Sequence, residues 1–291
     1  MTRLSPLLIA LAATFWGLAG GLGGLLMDAG WAPLTVTFHR AAFGLICVAL
    51  WLAFDRQRPR SSGAFAGLLG WSLVAGAGVA GNFTFYFLAI RETGVAVAAT
   101  LMYSAPAFVF LSAVLCRIER PTLPKGLAVA AVTAGVVLLT EVHRSGGVTL
   151  WGVAFGLLAG TSYAVFIFGF QAAAQRGPVP LVLSIALSTV VVALLPLVEL
   201  EAVAAALVSE SWPLFVLLGV LGAGLSFALY VAGVRHTPPT IAAVLAMVEP
   251  VTAATFGVLA LDETLSPVQL TGMAVILVTA TLLSRAQSES A

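Results

Sequence analysis

Ten apolar blocks alternate with short polar segments along the chain. They span roughly residues 6–27, 33–54, 67–90, 94–116, 124–141, 148–172, 178–198, 212–234, 240–260 and 266–284. Each block is long enough to cross a bilayer as a helix, which takes about 20 apolar residues. Because a backbone in lipid has to satisfy its own hydrogen bonds, every block is predicted to be helical. The sequence therefore predicts an all-α integral membrane protein with ten transmembrane helices.

Two further segments carry structural predictions. The longest linker, Glu199 to Ser211, is predicted to contain a small surface helix. Its apolar side would consist of Leu200, Val203, Ala204 and Leu207. The first block, Pro6 to Met27, exceeds the roughly 7–15 apolar residues of a cleavable signal peptide, so it is predicted to remain as a membrane helix.

The stretch from Asn82 to Glu119 recurs 144 residues later, from Ser226 to Glu263. The identical pairs at this offset include Phe83 and Phe227, Tyr86 and Tyr230, Arg91 and Arg235, Thr93 and Thr237, Pro106 and Pro250, and Glu119 and Glu263. Such a dense match without gaps indicates an internal duplication. The first five helices would form one half, residues 1–141, and the last five the other half, residues 148–291.

Five helices per half is an odd number, so the second half must start on the opposite side of the membrane. The halves are therefore predicted to be inverted repeats, an architecture that places a solute site near the bilayer midplane at the repeat interface. A duplication that only enlarged a scaffold is the structural alternative.

Lysine and arginine predict the orientation. With the N-terminus in the cytoplasm, ten cationic residues fall in inner segments, and only Arg91 and Arg144 fall in outer segments. The inner residues are Arg3, Arg56, Arg58, Arg60, Arg117, Arg120, Lys125, Arg176, Arg235 and Arg285. Both termini are therefore predicted to be cytoplasmic.

Composition supports a chain that lies mostly in lipid. Hydrophobic residues make up 60%, charged residues only 9%, and the mean hydropathy is +1.09, whereas soluble domains are about 25% charged. The net charge of +1 gives no reason to expect nucleic-acid binding. Cys47 and Cys116 lie in apolar blocks and are predicted to be buried hydrophobes, not disulfide or metal-binding residues.

Several polar and aromatic residues inside the helices are candidate substrate-binding residues. Asn82 and Tyr86 share a face of the third helix with Gly78 and Phe85, and the copied face in the eighth helix carries Ser226 and Tyr230 beside Gly222 and Leu229. Asn82 would hydrogen-bond either a substrate or a neighbouring helix. Trp16 and Tyr163 lie mid-helix at equivalent positions, where they would either form aromatic walls around a solute or pack in the core.

Prolines 106 and 250 are predicted to kink the fourth and ninth helices at equivalent places. Paired kinks in inverted halves would serve either as hinges or as fixed bends. Tyr103, three residues before Pro106, is a candidate substrate-binding residue on the same helix face. Glycines at positions 17 and 21 and at positions 20 and 24 form overlapping G-x-x-x-G spacings, which predict close helix contacts within the core.

Ionisable residues inside membrane helices are functional candidates by default. His39 and Arg40 lie in the second helix, and Glu249 lies mid-helix in the ninth. Arg40 would hold a carboxylate or play a structural role, and Glu249 would bind a proton or a substrate amino group, or be a structural carboxyl. Met247, the copy of Tyr103, points about 200° away from Glu249 on a regular helix, so the two are not expected to line one cavity.

A set of motifs connects the chain to a known family. They are Trp16-Gly17, Arg40, the Pro106 helix, Glu249-Pro250 and the following Asp262-Glu263. In this order and over essentially the whole chain, they resemble the EamA-type branch of the drug/metabolite transporter superfamily, and within it the aromatic amino acid exporters. The resemblance implies a basket of helices around a central cavity, and export of aromatic or other neutral amino acids or related metabolites across a bacterial inner membrane.

The sequence thus favours a monomeric secondary transporter that works by alternating access, with a small-molecule substrate and no cofactor. A passive channel, or an exporter of another small metabolite or drug, is the alternative. An intramembrane enzyme is disfavoured, because it would need catalytic groups clustered at one depth. Within the predicted helices, His39 is the only histidine and Glu249 is the only carboxylate. Both proton coupling through Glu249 or His39 and facilitated diffusion stay open.

Overall fold

The computed structural model describes residues 4–55, 62–142, 149–261 and 264–289, and these residues form helices joined by short connections. The first seven helices are α1 (Ser5–Asp28), α2 (Pro33–Phe54), α3 (Ser62–Thr93), α4 (Val95–Met102), α5 (Ala105–Leu115), α6 (Leu123–Thr140) and α7 (Leu150–Ala174). The others are α8 (Val179–Leu194), α9 (Leu200–Val208), α10 (Trp212–Gly219), α11 (Ser226–Val234), α12 (Pro239–Ala246), α13 (Val248–Ala260) and α14 (Pro267–Glu289). A π-helix, Val220–Leu225, joins α10 to α11.

The described residues contain ten helical spans that are long and apolar enough to cross a membrane, so the predicted fold is confirmed. Four of these spans are composite, and the seventh consists of α8 followed by a 3₁₀-helix, Leu195–Leu197. The fourth span consists of α4 and α5, the eighth of α10, the π-helix and α11, and the ninth of α12 and α13. Proline is well suited to the first turn of a helix, where its missing N–H is not needed, and it occupies that turn in α1, α2, α5, α6, α8, α10 and α12.

Equivalent spans of the two halves have equivalent neighbours. The third span packs on the sixth, and the eighth packs on the first; the fourth also packs on the sixth, and the ninth on the first. The second and seventh, the fourth and ninth, and the fifth and tenth spans each pack on their own copies. This exchange of partners is what a two-fold relation between the halves produces. Because each half has five spans, equivalent spans cross in opposite directions, which is the arrangement of inverted repeats.

The fourth and ninth spans both break just before their prolines. Tyr103 and Ser104 form a turn between α4 and α5, and Met247 forms a turn between α12 and α13. A proline cannot donate to the carbonyl four residues earlier, which weakens a helix at that point. The predicted kinks are therefore present as breaks of one or two residues, and Pro106 and Pro250 lie in the first turns of the helices that follow.

Small residues cover the two breaks. A Cβ atom on Gly17 of the first span would lie 2.5 Å from the Glu249 carbonyl oxygen, and a Cβ atom on Gly160 of the sixth span would lie 3.0 Å from the Leu101 carbonyl oxygen. Close backbone approach of this kind requires glycine. The prediction of close packing is confirmed for the Gly17 and Gly21 pair, whereas a Cβ on Gly24 would meet nothing within 4 Å.

The surface helix is also present, as α9, but its buried side differs from the prediction. Ala206 is fully buried and Val203 is half-buried, while Leu200 and Leu207 are 65% and 54% exposed. These leucines and Ala204 point away from the protein, since the side of α9 that packs on the bundle is the one through Ala206. The predicted burial of the cysteines is wrong for Cys116, which is exposed where the fourth span ends, and Cys47 is half-buried.

Charge is distributed unequally over the two faces of the bundle. The face reached after the even-numbered spans carries Arg117, Arg120, Lys125, Arg176, Arg235 and Arg285, together with Asp55 and Glu119. The opposite face carries Asp28, Glu92, Glu141, Glu199, Glu201 and Glu210, together with Arg91. Five arginines used for the predicted orientation, at positions 3, 56, 58, 60 and 144, lie outside the described residues, as does the Asp262-Glu263 motif.

Gly17→Ala tests whether covering the break matters for stability. The added methyl group would collide with the Glu249 carbonyl oxygen, and we expect a loss of about 1–3 kcal/mol, the usual cost of overpacking. The matched control is Gly24→Ala, which has open space and should be neutral or stabilising by up to about 1 kcal/mol. Thermal unfolding in detergent micelles measures both, and equal midpoints for the two variants would contradict the packing described here.

Candidate functional site

A small pocket lies at the interface of the two halves. Its volume is about 20 Å³, room for roughly one water molecule. It is lined by Trp16, Arg40, Val79, Asn82, Phe83, Tyr163, Phe166, Phe227 and Glu249. These residues come from the first, second, third, sixth, eighth and ninth spans, so both halves contribute to one central pocket.

Glu249 reaches this pocket because of the break in the ninth span. It is the second residue of α13, the helix that begins directly after the break. The Tyr163 hydroxyl donates a hydrogen bond to Glu249 Oε2 over 3.4 Å. Tyr103 interacts electrostatically with the same carboxyl group, but it does not form part of the pocket lining. Met247 does not line the pocket and is fully buried at the break.

Arg40 is held from the other side of the pocket. Its Nε donates a hydrogen bond to the Gly222 carbonyl oxygen over 2.9 Å, and its guanidinium carbon lies 5.2 Å from the centre of the Phe83 ring. A Cβ atom on Gly222 would lie 2.9 Å from Arg40 Nε and 2.6 Å from Ala19 Cβ, so only glycine fits there. The carbonyl group belongs to the π-helix, a form that is frequent at functional sites.

The pocket therefore holds one cation and one carboxyl group. Arg40 and Glu249 interact electrostatically, but neither forms a contact ion pair with the other. In a low-dielectric interior such separated charges attract a complementary solute strongly. This arrangement can bind a small molecule that carries both an anionic and a cationic group.

Asn82 connects the two halves next to these charges. Its Nδ2 donates a hydrogen bond to the Ala159 carbonyl oxygen over 3.0 Å, from the third span to the sixth. The interhelical bond that the sequence left open is thus present, and Asn82 lines the pocket as well.

Aromatic side chains close the pocket on the side of the eighth span. The Trp16 ring lies 5.1 Å from the Phe227 ring and 5.0 Å from the Tyr230 ring. Behind this layer, Tyr230 and Ser226 are fully buried and do not line the pocket. The Trp16 Nε1, Ser226 Oγ and Tyr230 hydroxyl groups have no hydrogen-bond partner, and each such buried group costs about 1–3 kcal/mol.

Not every candidate residue reaches the pocket. His39 lies outside it: its Nδ1 is 2.9 Å from the Thr35 carbonyl oxygen, and its ring is 4.8 Å from the Phe215 ring. The reason is helical geometry, because adjacent residues such as His39 and Arg40 point about 100° apart. Tyr86 is half-buried and within electrostatic range of Glu249, but it does not form part of the pocket lining.

The pocket face of the third span is Val79, Asn82 and Phe83, rather than the predicted face through Phe85. Phe85 instead lies against Phe155 of the sixth span, with 6.4 Å between ring centres. The duplication offered a signal for the correct face, because Phe83 and its copy Phe227 both line the pocket. The π-helix had no sequence signal of comparable strength.

A model of the "EamA-like transporter family" matches the chain twice, over residues 3–141 and 150–285. An uncharacterized transporter of Archaeoglobus fulgidus is 31% identical over 264 residues, which cover 89% of this chain and 90% of the relative. The uncharacterized transporter YwfM of Bacillus subtilis is 25% identical over 98% of this chain and 95% of its own length.

The threonine/homoserine exporter RhtA of Escherichia coli K12 is 29% identical over 199 residues, which cover 67% of this chain and 64% of the exporter. These relatives support the broad family resemblance but not the expected likeness to aromatic amino acid exporters in particular. A solved crystal structure that is 20% identical in sequence has the same fold, with a TM-score of 0.74 over 96% of this chain and 97% of that one.

Arg40→Lys tests the contact between the second span and the π-helix. A lysine keeps the positive charge but has no Nε–H positioned for the Gly222 carbonyl group, so we expect a loss of about 1–2 kcal/mol in stability. Arg91→Lys, at an exposed position near the opposite face, is the matched control and should change little. Thermal unfolding in detergent compares the two, and an unchanged Arg40→Lys protein would show that the contact contributes nothing to stability.

Proposed function

The chain belongs to the EamA-like transporter family, a family of transporters and not of enzymes, and from this premise we propose that it exports amino acids by alternating access. The observation that supports the proposal most directly is the pair of opposite charges, Arg40 and Glu249, in one pocket between the two repeats. An amino acid carries a carboxylate and an ammonium group, which match these two residues.

In the proposed complex, Arg40 holds the substrate carboxylate through the guanidinium N–H groups that do not bond Gly222. Glu249 holds the ammonium group, with Tyr103 and Tyr163 orienting the carboxyl group. Trp16 forms an aromatic wall next to the substrate side chain. The carboxylate and ammonium groups of the substrate pair with Arg40 and Glu249, so neither residue is left to pair with a charged side chain. The site therefore selects amino acids with neutral side chains.

The substrate class follows from the same residues and from the relative with a named substrate. RhtA is named as a threonine/homoserine exporter, and it is related to this chain over 199 residues. Buried hydroxyl groups at Ser226 and Tyr230 lie behind Trp16 and would suit a hydroxylated side chain once the pocket opens. Neutral amino acids, hydroxylated or aromatic, are therefore the proposed substrates, and other small zwitterionic metabolites are the second candidate.

Transport requires the pocket to expand, since about 20 Å³ is too small for any amino acid. We assign the expansion to movement of the two halves, residues 1–141 and 148–291, with Pro106 and Pro250 as hinges. The helix breaks before these prolines already lack regular helical hydrogen bonding, so bending the spans there costs little free energy. Rearrangement of the π-helix would rotate Ser226 and Tyr230, whose unpaired hydroxyl groups would gain partners.

The basic face of the bundle is proposed to be cytoplasmic, by the positive-inside rule. Both termini then lie inside, and export runs from the basic to the acidic face. We propose a monomer in the inner membrane, because each chain provides both repeats and a complete pocket.

Exchange of labelled amino acids in proteoliposomes tests the site. Glu249→Gln removes the negative charge that pairs with the ammonium group, and Arg40→Gln removes the partner of the carboxylate, so each should lower exchange at least tenfold, equivalent to about 1.4 kcal/mol. Trp16→Ala and Tyr103→Ala should also lower exchange. Glu210→Gln, at an exposed position, is the control for Glu249→Gln and should exchange normally.

If Glu249→Gln and Arg40→Gln exchange at wild-type rates, the pocket is not the substrate site. If wild-type protein carries none of threonine, homoserine and phenylalanine, the proposed substrate class is wrong. Amines that lack the carboxylate group should not be exchanged, because Arg40 would be left without a partner.

Counterflow separates a carrier from a channel. A carrier with a closed pocket should take up labelled substrate faster when unlabelled substrate is present inside the liposomes, because the loaded pocket returns more readily than the empty one. Uptake that is insensitive to internal substrate and does not saturate would indicate a channel instead.

A further inference from the structure

A second, larger cavity lies on the outer surface of the bundle, away from the central pocket. It is a groove of about 440 Å³ between the third, fourth and sixth spans. Its lining is Trp71, Ser112, Cys116, Ile118, Phe168, Gln171, Ala172, Gln175 and Arg176, and we call it the Arg176 groove. It shares no lining residue with the central pocket.

The groove is mostly apolar and is cationic at one end, and its neutral polar lining residues are Ser112, Gln171 and Gln175. Trp71, Phe168 and Ile118 form apolar walls, and Arg176 lies where the sixth span ends. Phe168 and Arg176 are eight residues apart, so the groove extends about 12 Å along the helix. It therefore runs from the level of the membrane surface into the apolar layer.

The Arg176 side chain is held in place by its neighbours, but no carboxylate of a described residue neutralises its charge. Its Nη1 donates to the Ala172 carbonyl oxygen of the same helix, and its guanidinium carbon lies 5.9 Å from the centre of the Trp71 ring. An arginine has five N–H donors, so most of them face outward from this exposed side chain. Arg176 forms no ion pair with any described residue.

The surroundings increase the positive potential at this end of the groove. Arg117 follows the groove residue Cys116, and Arg176 and Arg117 share the basic face with several other cations. The acidic residues on this face are Asp55 and Glu119, and the Glu119 carboxylate already pairs with Lys125 and accepts a hydrogen bond from the Thr240 backbone N–H over 2.9 Å. An anion that approaches Arg176 thus meets little competition.

We propose that the Arg176 groove binds an anionic phospholipid, with its phosphate group on Arg176 and an acyl chain along Trp71 and Phe168. Basic pockets between membrane helices recognise anionic headgroups in this way. The apolar part of the groove lies at the level in the membrane where the headgroup end of an acyl chain would lie. A second copy of this chain is a poorer fit, because it would bring its own basic face to the same level of the membrane. The site goes beyond the proposed transport function and does not depend on it.

Native mass spectrometry of the delipidated protein in detergent tests the proposal. Phosphatidylglycerol and phosphatidylcholine with identical acyl chains are added separately, and retained lipid is measured. Wild-type protein should retain at least about fivefold more phosphatidylglycerol than phosphatidylcholine, and Arg176→Gln should abolish this preference. Arg235→Gln, which removes an exposed arginine from the same face outside the groove, is the matched control and should keep the preference.

A second variant tests the groove itself. Ser112→Leu fills part of the cavity without changing charge, so it should lower retention of phosphatidylglycerol while Arg176 is intact. Circular dichroism verifies that each variant is folded. The proposal is overturned if Arg176→Gln keeps the preference, if Arg235→Gln loses it equally, which would indicate diffuse charge only, or if Ser112→Leu changes the oligomeric state instead of lipid retention, which would indicate a second copy.

Discussion

A helix that breaks inside a membrane leaves backbone groups that lipid cannot satisfy, and protein has to cover them. Two spans of this chain break at equivalent places, at Tyr103–Ser104 and at Met247. The spans that pack beside them are equivalent too, since Gly17 of the first lies close to the Glu249 carbonyl group and Gly160 of the sixth lies close to the Leu101 carbonyl group. The rest of the central architecture follows, because these contacts fix the two halves against each other.

The same contacts also bring the candidate substrate-binding side chains to the pocket. Trp16 is adjacent to Gly17, and Tyr163 is one turn from Gly160, so the glycines that cover the breaks also bring two aromatic rings to the pocket. The break in the ninth span puts Glu249 in the first turn of α13, where it lines the pocket. On the other side, the π-helix provides the carbonyl group that holds Arg40. The helix breaks and the π-helix, which interrupt regular helices, thus hold the polar and charged side chains of the pocket in place.

The spans, their number and the inverted repeats could be predicted from hydropathy and from the 144-residue repeat, because lipid permits few alternatives to helices. Trp16, Tyr163, Asn82 and Glu249 could be singled out as costly residues in lipid, and they do line one pocket. The face of each helix that lines the pocket was harder to predict from the sequence. A single step along the helix separates His39, which lies outside the pocket, from Arg40, which lines it.

In the proposed transport cycle, the two halves enclose one pocket that opens to each side in turn. Its most direct test is a single cysteine at Val79, which lines the pocket, in a chain with Cys47 and Cys116 changed to serine. Membrane-impermeant thiol reagents are applied to inside-out and right-side-out vesicles, with and without substrate. We expect labelling from both sides and protection by substrate, without passage of the reagent through the protein. Labelling from neither side, or free passage of the reagent, would contradict it.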